Sequence, residues 1–239
     1  MSKRDGLLDK IKSRGYWLIN FAPVEFIPER IKNIVDCKQI IKDNQVRFKG
    51  WSYPIFPPES CDKFGVNTGK NYQEAWVDVE GNKEIWRFYQ SAQFVQYLAL
   101  QEDWFAEHSL FPDNLKSIES KTILGVTETL FTITEIIEFI SKFYLKNIFS
   151  GELNVEITLF NILGRKLKSL DRDRAPLISD YVSSNPDINF ARKYSRDSFL
   201  NSTELSLEAA VYFFNRFSWD NPSLTILESD QKKLIQGHF

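Results

Sequence analysis

The residues of this chain best suited to chemistry are cations set between aromatic rings. Over residues 46–54, VRFKGWSYP, the odd positions are Arg47, Lys49, Trp51 and Tyr53, while Val46 and Phe48 point the other way. Over residues 83–100, KEIWRFYQSAQFVQYLAL, alternation separates an oily side from a hydrogen-bonding side. Trp86, Phe88, Ala92, Phe94, Leu98 and Leu100 make the first; Arg87, Tyr89, Ser91, Gln93 and Tyr97 make the second. Such a face suits single-stranded nucleic acid, because bases stack on rings at roughly 1–3 kcal/mol each while arginine and lysine neutralise phosphates. It also suits a protein partner, since tryptophan, tyrosine and arginine are enriched where interfaces concentrate their energy. A third reading makes the rings the second layer of a core covered by helices. A further group of cations, Arg165, Lys166, Lys168, Arg172 and Arg174, clusters around two aspartates.

Catalytic sets are scarcer. A metal-dependent nuclease needs carboxylates converging with a lysine, and Asp78, Glu80, Lys83 and Glu84 surround one turn. That is the enzymatic alternative, although hairpin tips are charged by default. Glu128 and Glu135 share a helix face with Lys142 and Lys146, where an acid/base couple competes with an ordinary hydrated face. Neither G-x-x-x-x-G-K-[ST] nor G-x-G-x-x-G nor G-x-S-x-G occurs, so a phosphate-cradling loop and a serine hydrolase of usual design are not expected. Two histidines, His108 and His238, leave little imidazole chemistry, and His108 reads as a solvent-exposed loop residue. Cys37 and Cys61 are too few for a disulfide framework or a zinc site, and Cys37 reads as a core filler. No cofactor and no metal are expected.

With 30 basic and 32 acidic side chains the formal charge is -2, so any nucleic-acid contact needs a local patch. The first fifty residues and 165–196 lean basic, and 102–138 leans acidic. No apolar run reaches the roughly 18–20 residues that span a bilayer, and MSKRDGLLDK has no signal-peptide core, which points to a cytoplasmic protein with free thiols and no membrane contact.

The elements that must position these side chains follow from periodicity. Residues 7–12 form a short basic helix. Residues 16–22 are a first strand with Trp17, Ile19 and Phe21 on one side. A helix starts at Pro28 and carries the stripe Ile31, Ile34, Val35, Cys37 and Ile41. Residues 46–54 are the second strand, with a bulge at Gly50, and 55–71 a long loop. Ala75, Val77 and Val79 alternate up to the turn Glu80-Gly81-Asn82-Lys83, which leads into the spine strand 83–100. Residues 101–122 are irregular. The longest helix covers 126–148, with Leu130, Ile133, Ile137, Ile140 and Tyr144 as its stripe and Gly151 closing it. Leu153, Val155, Ile157 and Leu159 mark another strand, 189–193 a short one, and helices at 206–217 and 224–236 complete the chain. The expected fold is α+β, a mostly antiparallel sheet with helices packed against it. It forms one domain over 1–239, of which 176–239 is a mainly helical portion.

The segments W-x-I-x-F-x-P-x-x-F (17–26), VRFKGWSYP (46–54), WRFYQSAQFV (86–95), ITEIIEFI (133–140) and VEITLFNILGRKL (155–167) together cover most of residues 17–168. In these segments the chain resembles a region of bacterial proteins that carry an AlbA-type, Schlafen-like DNA-binding domain, lying outside that domain. The resemblance implies a nucleic-acid-linked or anti-phage defence setting and brings no catalytic residues with it. The expectation is a non-catalytic recognition or accessory subunit of a hetero-complex, binding nucleic acid or a partner protein.

Overall fold

The computed structural model describes residues 6–58, 60–109, 111–146, 148, 150–171 and 174–237. Helix α1 (Leu7–Lys12) leads into strand β1 (Tyr16–Pro23), then helix α2 (Ile34–Asn44) and strands β2 (Phe64–Thr68), β3 (Tyr72–Val79), β4 (Asn82–Tyr89) and β5 (Phe94–Ala99). A 3-10 helix (Gln101–Glu107), a single helical turn α3 (Asp113–Lys116) and the short strand β6 (Ile123–Gly125) precede the long helix α4 (Val126–Leu145). Strands β7 (Leu153–Phe160), β8 (Lys166–Lys168) and β9 (Asp187–Tyr194), a second 3-10 turn (Asp197–Asn201) and helices α5 (Ser202–Asn215) and α6 (Leu224–Gln236) follow.

Seven of the strands among the described residues make one antiparallel sheet in the order β2-β3-β4-β5-β1-β7-β9, and β6 pairs with β8 in parallel beside it. Helix α4 lies on one face of the sheet and buries Leu130, Ile133, Ile136, Ile137, Ile140 and Phe143 completely. It meets Trp17, Ile19 and Phe21 of β1 and Phe88 and Phe94 of the β4–β5 pair, with Phe21 stacked on Phe94 at 5.1 Å and edge-on to Phe143 at 5.6 Å. Burying such rings together is the main source of the fold's stability. A smaller cluster, Leu7, Ile11, Tyr16, Ile85, Ala99 and Trp104, forms on the opposite face under α1. The architecture is the α+β arrangement expected from the periodicities, and no helix of the described residues is long and apolar enough to cross a membrane.

Several expected elements are corrected. Residues 83–100 are a hairpin, β4 and β5, and not one spine strand. Phe88 faces Phe94 and Trp86 faces Gln96, so even positions oppose even positions and the two faces survive the reversal. Residues 46–54 are a loop closed by one bridge, with Val46 and Tyr53 exchanging backbone hydrogen bonds of 2.9 and 2.8 Å and Gly50 at a positive φ of 81°. The 55–71 segment contains the edge strand β2. Helix α2 begins at Ile34, capped by the Asn33 side chain accepting from the Val35 amide at 3.2 Å, and so Val35 sits in the exposed first turn, 61% exposed, rather than in the stripe. Helix α4 ends at Leu145, well before Gly151.

Candidate functional site

The alternation of β4 places Arg87 and Tyr89 on the sheet face away from α4, and cross-strand pairing sets Glu74 opposite Arg87 and Tyr72 opposite Tyr89. The Arg87 guanidinium meets Glu74 at 2.6 Å and lies over the Tyr72 ring at 4.9 Å, and Tyr72 and Tyr89 are 5.5 Å apart. Burial works against the Arg87 charge, yet its hydrogen bonds to Glu74 and Tyr89 and the Glu74 charge hold its pKa above the ordinary arginine value. Tyr97 of β5 carries the Lys12 ammonium over its ring at 4.9 Å, and Gln93 donates to Asn20 at 3.0 Å. Arg87, Tyr89 and Tyr97 line a shallow depression of about 350 Å³, and all three, like Gln93, remain partly accessible.

The other expected binding residues are scattered. Arg47 is exposed and donates to Ser52 at 2.9 Å, and Trp51 is 46% exposed. Tyr53 is buried, its hydroxyl donating to Gln96 at 2.6 Å, and the Lys49 ammonium lies 2.8 Å from Glu135. Lys49, Trp51 and Tyr53 line one cleft between this loop and α4, and Arg47 does not join them, because a loop without ladder neighbours has no pleat to align all four. Arg165 is no surface cation: it is fully buried, gripping both oxygens of Asp103 at 2.9 and 2.6 Å. Lys166 is exposed and pairs with Asp180 at 2.5 Å, Lys168 is exposed, and Arg174 pairs with Asp230. Arg172 and His238 lie outside the described residues.

The acidic residues at the β3–β4 turn also diverge. Asp78 faces Lys10 at 2.9 Å and Lys83 at 3.5 Å, whereas Glu80 accepts from the Ser109 hydroxyl at 2.8 Å and amide at 3.1 Å, bonds that hold its carboxyl below the usual range. Glu84 points to the opposite face, into the core. Among the described residues no three His, Cys, Asp or Glu side chains are grouped to hold a metal ion. His108 is not solvent-exposed as expected: its side chain is 16% exposed, packed on Phe111 with ring centres 4.1 Å apart.

A second concavity lies where the 46–54 loop meets the β4–β5 ends and α4, a cleft of about 230 Å³. Four glutamates line it. Glu84 accepts from the Ile55 amide at 2.7 Å and from Gln96 at 3.1 Å, and burial pushes its carboxyl up to about 8. Glu102 accepts from the Gly125 amide at 2.8 Å and is likewise raised by burial. Glu128 is raised to about 7, by burial first and then by the charge of Glu102. Glu135 is 3% exposed, with Lys49 on Oε2 and, among the described residues, no hydrogen-bond partner on Oε1. Glu128 Oε2 and the Thr129 hydroxyl are buried in the same condition. Sequence reasoning assigns Glu128 and Glu135 to a hydrated helix face. The contrary signal is in α4 itself, where Phe131 and Phe139 stand at i-4 and i+4 from Glu135 and carry apolar surface round to the glutamate side.

No protein-family model matches the chain, and neither the curated proteins nor the solved structures yield a match.

Proposed function

We propose that this chain is a non-catalytic recognition subunit that seats a partner protein against the outer face of its sheet, in the nucleic-acid-linked or defence-linked setting that the AlbA-associated resemblance implies. One observation carries the reading: Arg87, Tyr89 and Tyr97 line a partly accessible depression on the sheet face opposite α4, with Tyr72 packed beside Arg87 and Tyr89. Arginine and tyrosine in a shallow, partly dry hollow are the composition of an interface hot spot. A protein is favoured over nucleic acid because the cations are already engaged: Arg87 by Glu74, Lys49 by Glu135, Arg165 by Asp103 and Lys166 by Asp180. Phosphate neutralisation, which supplies much of the affinity for nucleic acid, therefore has few donors to draw on. The carboxylates named for a nuclease do not converge, which leaves that alternative without a supporting observation.

The test is co-purification from native lysate, read by mass spectrometry, using the wild type and a Tyr89→Ser, Tyr97→Ser double variant of unchanged melting temperature. A stoichiometric partner held by the first and lost by the second supports the reading. A fluorescent single strand titrated between about 50 and 200 mM salt supplies the contrary result, since steep weakening would transfer the function to nucleic acid.

A further inference from the structure

We infer that the cleft beneath Trp51 is a binding site for a small aliphatic ammonium ligand, held by Glu128 and Glu135 of α4 and distinct from the partner face of the sheet. The acceptors come first. Glu135 Oε1 and the Thr129 hydroxyl belong to residues 3% and 2% exposed, both line the cleft, and neither has a hydrogen-bond partner among the described residues; Glu128 Oε2 is in the same condition. An ionised carboxylate only accepts, so whatever completes this set must bring N–H or O–H donors. Charge then selects among donors, because buried carboxylates are best matched by a cation.

The protein supplies its own precedent. The Lys49 stem enters the cleft and sets its ammonium 2.8 Å from Glu135 Oε2, so an alkylammonium is already accommodated there and the second oxygen remains for another. Rings of Trp17, Trp51, Tyr53 and Phe131 line the same space and suit methylene groups and a cation over an aromatic face. Along α4, Glu128, Thr132 and Glu135 follow at i, i+4 and i+7 on one stripe, which separates the two acids by roughly 10 Å of helix axis. A chain with an ammonium at each end spans such a pair better than a single ammonium. A cleft of about 230 Å³ fits a ligand of this size and excludes a nucleotide.

The experiment is a titration of the full chain with 1,4-diaminobutane, followed by tryptophan fluorescence and calorimetry, with butylamine and 1,4-butanediol in parallel. The diamine should saturate, butylamine should bind more weakly, and the diol should give no signal. Glu128→Gln should weaken the diamine by on the order of tenfold or more, and Thr129→Val, which keeps the side-chain shape, by a few-fold. Glu107→Gln, outside the cleft, should leave the affinity unchanged. Affinity should rise between about pH 6 and 8 as Glu128 ionises. Its surroundings for that change are Glu102, Lys49, Asp171 and Arg174. A flat diamine titration, equal binding of the diol, or full affinity retained in Glu128→Gln would each overturn the assignment. The wild-type titrations decide the matter even if a variant fails to fold, and none of them depends on whether a protein binds the sheet.

Discussion

Asp103 and Glu135 are both buried carboxylates beside a cation, Arg165 at 2.6 Å and Lys49 at 2.8 Å, yet only the first is saturated. Asp103 takes Arg165 on both oxygens, the Gly15 amide on Oδ2 at 2.6 Å and the Lys121 amide on Oδ1 at 2.6 Å. Arg165 spends further donors on the carbonyls of Ile123 at 3.0 Å and Asn161 at 2.9 Å. The pair thus ties together the entry to β1, the 3-10 helix, β6 and the exit from β7. Glu135 has Lys49 on one oxygen and, among the described residues, nothing on the other. Desolvating a charge is costly in both places, and only at Asp103 do the fold's own hydrogen bonds offset the whole cost. Saturation makes Asp103 a structural clamp, whereas Glu135 keeps an acceptor to spare.

Arg165 gives the largest expected effect. Replacing it by Met should lower the free energy of unfolding by about 3–5 kcal/mol, read from the denaturant midpoint, because Asp103 would stay buried without its cation. A loss comparable to that of a surface variant would remove the clamp. Glu84 tests an intermediate case, hydrogen-bonded to the uncharged donors of Ile55 and Gln96. Its folded-state pKa is raised from 4.5 to about 8, so the stability it contributes is complete below about 4.5 and is lost as pH rises through about 8. The wild type should therefore weaken by up to about 1.4 kcal/mol per pH unit from this group, and Glu84→Gln should flatten that slope in unfolding curves taken from about pH 6 to 8. Gly15→Ala should cost about 1–3 kcal/mol, since a Cβ there would lie 2.5 Å from Arg165 Nη2 and 2.4 Å from Leu100 Cδ1. The smallest effect belongs to Glu135→Gln, about 1 kcal/mol or less in thermal unfolding, because Lys49 sits on a loop from which its ammonium can reach water.

Much of the scaffold could be read from local pattern. Alternation located β1, the β3–β4 hairpin and β7, and the 3.6-residue stripe located α4, because those periods depend only on which side of an element meets the core. The β4–β5 reversal was hidden for a specific reason. Its turn, Gln90-Ser91-Ala92-Gln93, has no glycine, asparagine or proline, and Ala92 takes a φ of 67° with its amide bonded to the Tyr89 carbonyl at 2.9 Å. Even register then preserved the alternation across the break. Of the expected binding residues, Arg87, Tyr89, Gln93 and Tyr97 do share an accessible face. Lys49, Trp51 and Tyr53 meet at the cleft instead and Arg47 stands apart, since alternation without a strand on either side fixes no orientation.

Side-chain spacing alone therefore determined which faces are oily, how the elements follow one another, and that helices cover an antiparallel sheet. Whether a charge is spent or spare was decided only in three dimensions: Arg165 and Asp103 lie 62 positions apart, and Lys49 reaches Glu135 from a loop outside the sheet. Periodicity reports a residue's relation to its own element, whereas hydrogen-bond saturation depends on partners that the chain brings near only by folding.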